Sequence, residues 1–262
     1  MKKLYTLWLT LLRTNFSLFV IYRGNFVGTV FTSLGWAVFS VVSMYLLIST
    51  SSTIFGWTKV ELYVLTGIYS VVVGIFHVFF TVNFWWFPRI IHLGQLDGIL
   101  LKPVDTQFML SSKYINFATI PRVCAAILFT FYILMTNHIQ VSAIQWIYFV
   151  LLAFVGLIIL YSIWFIVMTI LIWQSHLTNL SDLLFHVMDS AKYPKEMYEG
   201  LGHYIAFFLL PIALTVSLPT KVLFDRASLW DVLIIISIAV SLFIFSRKFW
   251  KFALRFYTSA SS

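Results

Sequence analysis

Long apolar runs separated by short polar stretches dominate this chain. Five of the runs are long enough for a helix that crosses the hydrocarbon core of a bilayer, which takes about 20 apolar residues. They cover residues 26–49, 62–87, 117–136, 144–173 and 230–246. The run at 144–173 is long enough for a strongly tilted helix. This pattern predicts a polytopic, all-α integral membrane protein.

Residues 1–23 are periodic instead of uniformly apolar. One set of positions, at steps of three and four, is polar: Lys3, Thr6, Thr10, Arg13 and Ser17. The opposite set is apolar: Leu4, Leu7, Trp8, Leu11 and Leu18. We therefore predict an amphipathic helix with a basic face that lies in the membrane interface. A signal peptide is disfavoured, because Arg13 and Asn15 interrupt the apolar stretch and no small-x-small cleavage site follows.

Charged and helix-breaking residues crowd the segment 88–116, at a density that no membrane-spanning helix carries. They are Pro88, Arg89, His92, Gly94, Asp97, Gly98, Lys102, Pro103 and Asp105. An apolar stripe nevertheless keeps helical spacing, at Ile90, Leu93, Leu96 and Leu100. The segment thus predicts a short amphipathic helix on the cytoplasmic surface that ends before Pro103.

The pattern leaves two interpretations open for residues 176–218. Residues 177–188 are moderately apolar and predict either a short protein-buried span or a cytoplasmic amphipathic helix. Asp182, His186 and Asp189 are spaced four and three apart, so a helix would bring them together in a buried polar cluster. Residues 201–218 are apolar, and hydropathy alone accepts them equally well as the fifth span.

Composition and charge place the protein in lipid and orient it. Hydrophobic residues make up 61% of the chain and charged residues 10%, against about half and a quarter in soluble domains. The N-terminus, residues 88–122 and residues 247–262 hold 12 of the 17 basic residues and two of the nine acidic ones. This bias predicts that they are cytoplasmic, with both termini inside and an even number of spans. The net charge of +8 is therefore attributed to topology and not to nucleic-acid binding. Arg122 is expected to snorkel to the headgroups.

Sequence signatures of catalysis are missing from the chain. No glycine precedes a lysine, so there is no P-loop, and there is no HExxH, CxxC or GxSxG. The one cysteine, Cys124, and the histidines show no metal-ligand spacing, so we expect no catalytic, cofactor or metal site. Gly24 and Gly28 form a GxxxG pair that favours close helix approach. Two rival classes remain: a membrane-embedded lipid-modifying enzyme, with only Asp182, His186 and Asp189 as candidates, and an ion-coupled carrier, for which the expected internal repeat is not found.

The stretch 94–104, Gly-Gln-Leu-Asp-Gly-Ile-Leu-Leu-Lys-Pro-Val, resembles the G-x-L-D-x-x-L-x-K/R-P signature of ABC-2 type permeases, in the uncharacterised viologen-exporter subgroup. Supporting likenesses to the same family extend the resemblance over essentially the whole chain. They are Tyr193-Pro194 followed by Tyr198, the prolines Pro211 and Pro219 before the last span, and the ending Tyr257-Thr258-Ser259-Ala260-Ser261.

The resemblance implies a fold of type V exporters. An interfacial helix at residues 1–23 would precede a single permease domain at residues 24–262, with six transmembrane helices. Residues 177–193 would form the fifth span, and residues 201–218 would form a re-entrant hairpin on the outer side. The family assembles two permease subunits, identical or related, on two ATPase subunits that bind ATP and Mg. The expected location is a bacterial inner membrane, and the expected function is export of an amphipathic, drug-like or lipid-like molecule.

The resemblance also implies roles for particular residues. The segment 89–104 would be a rigid coupling helix in a groove of the ATPase, with Gly94 and Gly98 on one face. Its coupling residues would be Arg89, Gly94, Leu96, Asp97, Gly98, Lys102 and Pro103. Asp97 and Lys102 would contact the partner or fix the elbow internally, although Asp97 equally suits a backbone-capping role. The translocation path would lie between two copies, with candidates that equally suit a lipid-facing position: Tyr45, Tyr69, Phe76, Phe80 and Asn83.

Overall fold

All five predicted apolar runs lie in helices, and the strands in the described chain are two residues long. The computed structural model describes residues 2–49, 53–177, 179–199 and 203–258, with the backbone alone for residues 2–5, 23 and 203–207. Residues 1, 50–52, 178, 200–202 and 259–262 lie outside the described residues. They include 259–261 of the predicted tail element and the first two residues of the predicted hairpin.

The helices share one chain order from the N-terminus to the C-terminus. They are α1 (Lys2–Ile21), α2 (Arg23–Ser49), α3 (Lys59–Phe76), α4 (Val82–His92), α5 (Leu96–Leu100), α6 (Thr106–Ser112), α7 (Ile120–Thr136), α8 (Ala143–Thr169), α9 (Leu180–Met188), α10 (His203–Leu223) and α11 (Leu229–Ala253). Strands β1 (Thr53–Ile54) and β2 (Trp57–Thr58) form an antiparallel hairpin before α3. Single turns of tighter 3₁₀ helix are Phe117–Thr119, Ile170–Ile172, Asp189–Lys192, Lys195–Met197 and Leu254–Phe256.

Five helical segments are long and apolar enough to cross a membrane: Gly24–Ser49, Lys59–His92, Phe117–Thr136, Ala143–Ile172 and Leu229–Phe256. They coincide with the five predicted runs, so the prediction of an all-α membrane protein is confirmed at this level. Helix α1 shows the predicted alternation at Thr10 and Arg13, which are exposed, and at Leu11, which is half-buried. Its Asn15 side chain donates to the Lys113 carbonyl at 2.9 Å, which holds α1 against the start of the third run.

The second run continues past its predicted end at residue 87. A π-helical turn (His77–Thr81) joins α3 to α4, and α4 passes through Pro88 as far as His92. Proline has no N–H, so Pro88 leaves the carbonyl of Phe84 without its helical donor. The Ser181 hydroxyl supplies a substitute donor to that oxygen at 3.2 Å. An apolar helix containing proline persists when a neighbouring group satisfies the freed carbonyl.

Helix α3 lies at the centre of the bundle. In the span Lys59–His92 the most apolar stretch is 78% buried, against 22% in Gly24–Ser49. Around α3 pack α2, α7, α8 and α10. The GxxxG pair in α2 makes no close contact within the chain, since no described atom lies within 4 Å of a Cβ placed on Gly24 or Gly28. The predicted close approach is therefore not met inside this chain. It occurs instead at Gly156 of α8, whose position faces the Thr215 carbonyl of α10.

Residues 180–196 run antiparallel beside α3 and α4. Three side-chain hydrogen bonds mark the course: Trp85 to Asp182 at 3.3 Å, Tyr69 to Asp189 at 2.7 Å and Trp57 to Glu196 at 2.9 Å. As the number on this segment rises, the number of its partner falls. The chain thus climbs along the second span as the short helix α9 followed by two 3₁₀ turns.

The predicted hairpin at residues 201–218 is wrong for the described part, because α10 is one helix through both Pro211 and Pro219. Each proline removes a single N–H donor, whereas a turn in apolar surroundings would leave several backbone groups without partners. Glu196 nevertheless forms an ion pair with Lys221. The chain between these two residues therefore leaves and returns to the same level of the bundle, with α10 as its returning limb.

Candidate functional site

The elbow between α4 and α6, residues 93–105, is not one continuous helix. Helix α4 ends at His92, and Gly94 has φ +64°, a left-handed conformation that suits glycine at a helix end. A new helix, α5, covers only Leu96–Leu100, and the chain then continues without helix through Pro103. The prediction of a rigid helix at 89–104 is wrong. Gly94 and Gly98 consequently do not share a helix face.

The predicted coupling residues divide into a buried base and an exposed tip. Leu96 is fully buried in the core, and Asp97 is half-buried. Arg89 lies on α4 with its guanidinium 5.0 Å from the centre of the Trp86 ring. The tip is exposed and consists of Gly98, Lys102 and Pro103. It also includes three leucines that the sequence did not single out as coupling residues: Leu93, Leu100 and Leu101.

The base of the elbow is fastened to the end of α11. Burial, and then the Asp97 carboxylate, raise the pKa of Tyr257. Asp105 accepts two hydrogen bonds from Arg247, at 2.8 and 2.7 Å, and the Trp250 indole donates to Thr106 at 2.9 Å. The Arg247 hydrogen bonds are the main reason why the pKa of Asp105 lies below its ordinary value. A displacement of the elbow is therefore transmitted to α11.

A second candidate site is a polar cavity of about 260 Å³ between α2, α3, α7 and the turn Asp189–Lys192. Its polar lining is Ser40, Tyr69, His77, Arg122, His186, Asp189 and Lys192. The remaining lining is apolar or aromatic: Trp36, Phe39, Phe185 and Met188. This cavity gathers cations, a carboxylate and a phenol among helices that are otherwise apolar. We call it the polar cavity.

Arg122 corrects the expectation that it snorkels to the headgroups. Its residue is only 6% exposed, and it interacts electrostatically with Tyr69 and Asp189. The Tyr69 hydroxyl donates to the Asp189 carboxylate at 2.7 Å. An arginine on an isolated helix reaches for water, but here a carboxylate from a distant segment supplies counter-charge inside the protein. The Arg122 Nε is buried without a hydrogen-bond partner among the described residues.

The polar cluster predicted in α9 is only partly assembled. His186 and Asp189 line the polar cavity, whereas Asp182 is exposed and accepts the Trp85 indole N–H. Within the described ranges, no group of three or more His, Cys, Asp or Glu side chains is placed to hold a metal ion. Sequence spacing identified two of the cavity residues. It missed Arg122, His77 and Lys192, which come from other helices or from the following turn.

The predicted path residues are not brought together. Tyr69 lines the polar cavity, and Tyr45 is 59% exposed on α2. Phe76 is fully buried and Phe80 packs beside it, with ring centres 5.4 Å apart. Asn83 is buried and binds the backbone of Tyr114 through both its amide nitrogen and its oxygen, at 2.8 Å each. Phe76 and Asn83 thus have structural roles inside this chain.

A second and larger cavity, of about 740 Å³, borders the fastened elbow. Its polar end contains Asp105, Gln107, Tyr161 and Arg247, and Phe80 belongs to its apolar wall. The polar groups there already bond to one another, as in the pair between Asp105 and Arg247.

Comparison with known families gives one match. The sequence model of a family described as "ABC-2 family transporter protein" matches residues 34–261, most of the chain. A search of curated proteins and a search of solved structures each returned no significant match.

Proposed function

Because the chain belongs to the ABC-2 family of transporter proteins, and is thus a permease subunit of an ABC transporter, we propose that it exports an amphipathic molecule. ATP hydrolysis takes place in a separate pair of ATPase subunits that bind ATP and Mg. A second permease, identical or related, completes the membrane part. The assembly lies in a bacterial inner membrane.

The observation that carries the proposal is the elbow, with an exposed apolar tip on a fastened base. Leu101 is 87% exposed beside Lys102 and Pro103, both also exposed. A cluster of exposed leucines outside the apolar spans is typical of a protein-binding surface. The base joins α4 directly and α11 through Asp105 and Arg247. A partner that pushes on the tip therefore moves two long helices together.

Charge and chain course support a six-span topology with the elbow in the cytoplasm. The five long apolar helices account for five crossings. Residues 180–196, which climb antiparallel to α3 and α4, make the sixth. Helix α10 returns to the level of Glu196 and so adds no net crossing. An even number of crossings agrees with cytoplasmic termini, as the distribution of basic residues requires.

The experiment is affinity purification of the tagged chain from its native membrane in a mild detergent. We expect an ATP-binding-cassette protein and ATP hydrolysis to accompany the wild type. Leu101→Asp and Lys102→Glu reverse the chemistry of the tip, so both variants should lose the ATPase while the chain itself stays monodisperse.

Leu229→Asp is the matched control. Leu229 is 75% exposed at the first position of α11, where an acidic residue suits the helix N-terminus, and this variant should keep the ATPase. Purification of the wild type without an ATP-binding protein contradicts the proposal. So does full retention of the ATPase and of its activity in both elbow variants.

A further inference from the structure

Arg122 is a buried cation whose hydrogen-bonding capacity is not used up by the protein. The residue is only 6% exposed, and its Nε is buried without a partner among the described residues, beside the polar cavity that the side chain lines. A guanidinium removed from water needs anionic or carbonyl acceptors around it. Asp189 supplies one carboxylate, but that carboxylate is already the acceptor of the Tyr69 hydroxyl.

The charges around the polar cavity do not balance. Arg122 and Lys192 are cationic and Asp189 is anionic, so the fixed groups leave an excess of one positive charge when His77 and His186 are neutral. His77 is engaged with the Thr81 hydroxyl at 2.9 Å and stacks on Phe185. A single negative charge on a ligand restores neutrality in this low-dielectric place.

The mouth of the polar cavity is apolar and lies at the outer face of α2. Trp36 and Phe39 form part of its edge and are 57% and 56% exposed. Exposed apolar side chains continue along the same helix at Phe31, Val38 and Val42. The volume of about 260 Å³ is below the 300–1,000 Å³ usual for a whole drug-sized ligand. The cavity therefore fits a headgroup, with the rest of the molecule outside it.

We propose that the polar cavity binds the anionic headgroup, a carboxylate or phosphate, of an amphipathic molecule whose apolar tail lies along the exposed face of α2. Arg122 donates to the headgroup as a planar fork, and Lys192 adds a second cationic contact. Asp189 and Tyr69 hold the guanidinium in place while no ligand is bound. The inference rests on the proposed exporter function and names its cargo class.

The test is a fluorescence titration of the purified full-length chain in nanodiscs of zwitterionic lipid. The probe is dansyl-labelled undecanoic acid, and its methyl ester carries the same tail without the charge. We expect Arg122→Gln to bind the acid about tenfold more weakly or worse, since a charge-assisted hydrogen bond is lost. Arg122→Lys should restore binding to within about threefold of the wild type, because it restores the charge. Arg255→Gln, at an exposed arginine outside the cavity, is the matched control and should bind normally.

Asp189→Asn gives a second test with the opposite sign. If Asp189 competes with the ligand for Arg122, its neutralisation should tighten binding of the acid several-fold, while binding of the ester should not change. A purely structural ion pair predicts equal or weaker binding. This variant keeps Arg122, so the proposal stays testable where Arg122→Gln fails to fold.

Three results overturn the proposal: equal binding of the acid by the wild type and by a folded Arg122→Gln, equal binding of acid and ester by the wild type, or weaker binding of the acid by Asp189→Asn. Displacement of the probe by millimolar inorganic phosphate alone overturns the amphipathic assignment, because it identifies a free anion as the ligand. The titration needs no ATPase. A failure here, with the ATPase still co-purifying, rejects the cargo class and leaves the exporter function standing.

Discussion

The Ser181 hydroxyl donates to the Phe84 carbonyl at 3.2 Å, and this carbonyl is the one that Pro88 deprives of its helical hydrogen bond. The contact connects two distant segments of the chain. It lets α4 continue beyond the proline, and it attaches α9 to α4. The position of the elbow, which follows directly after α4, thus depends on a hydroxyl in α9.

Ser181→Ala should lower the free energy of unfolding by about 1–3 kcal/mol, because it leaves a buried carbonyl without a donor. In a Pro88→Ala background the same substitution should cost much less, since an alanine at this position returns a backbone N–H donor to the Phe84 carbonyl. Thermal unfolding of the four proteins in one detergent completes the double-mutant cycle. Equal costs of Ser181→Ala in both backgrounds would refute the explanation.

Gly156 sets the distance between α8 and α10. A Cβ at this position would lie 2.9 Å from the Thr215 carbonyl oxygen, which is backbone and has little room to move. Gly156→Ala should therefore destabilise the protein by about 1–3 kcal/mol. Gly35→Ala on α2, where no described atom lies within 4 Å, is the control and should be neutral or stabilising by up to about 1 kcal/mol. The measurement is the midpoint of thermal unfolding, and equal shifts in the two variants would contradict the packing argument.

The spans were predictable from the sequence because length and hydropathy are local properties. A helix in lipid must satisfy its own backbone within one continuous segment, so each apolar run reports itself. The predicted run at 117–136 and the helical segment Phe117–Thr136 share both ends. At residue 87 the prediction failed, because the hydroxyl that rescues the helix beyond Pro88 belongs to Ser181.

The polar cavity was not predictable for the same reason. Spacing placed His186 and Asp189 together, since both belong to one short segment. Arg122 was assigned to the headgroups, because nothing near it in sequence offers a counter-charge. Only the packing of residues 180–196 against α3 brings Asp189 to it. The elbow shows the corresponding limit for the backbone, since the left-handed φ of Gly94 turns an apparent amphipathic stripe into two separate helices.

Arg226 ties the β-hairpin to the start of α3. It donates to Glu61 at 2.7 Å and to the Gly56 carbonyl at 3.2 Å, and Glu61 is only 5% exposed. Arg226→Ala should destabilise the protein by about 1–3 kcal/mol, because it removes hydrogen bonds to a buried carboxylate. Lys195→Ala is the comparison: it breaks the exposed pair with Glu199 and should cost at most about 0.5 kcal/mol. Unfolding midpoints in low and high salt check both values, and equal costs would contradict the role assigned to burial.

The bond between Asp105 and Arg247 should make stability depend on pH in the acid range. Hydrogen bonds from Arg247 hold the folded-state pKa of Asp105 below its ordinary value, about 3.9 in the unfolded chain. The lowered pKa contributes stability that is fully present above that value and is lost as the pH falls through the folded-state pKa. Both side chains are more than a third exposed, so the contribution is at most about 1 kcal/mol.

Asp105→Ser isolates this contribution, because serine keeps an acceptor for the Phe108 amide that Asp105 caps at 2.9 Å. The wild type should be more stable than Asp105→Ser at pH 7, and the difference should shrink as the pH falls below about 4. Asp105→Ala also removes the cap, so it should be less stable than Asp105→Ser by about 1 kcal/mol at every pH. Thermal unfolding of the three proteins from pH 7 to pH 3 measures both quantities. A difference between wild type and Asp105→Ser that stays constant with pH would show that the ion pair does not fasten the elbow to α11.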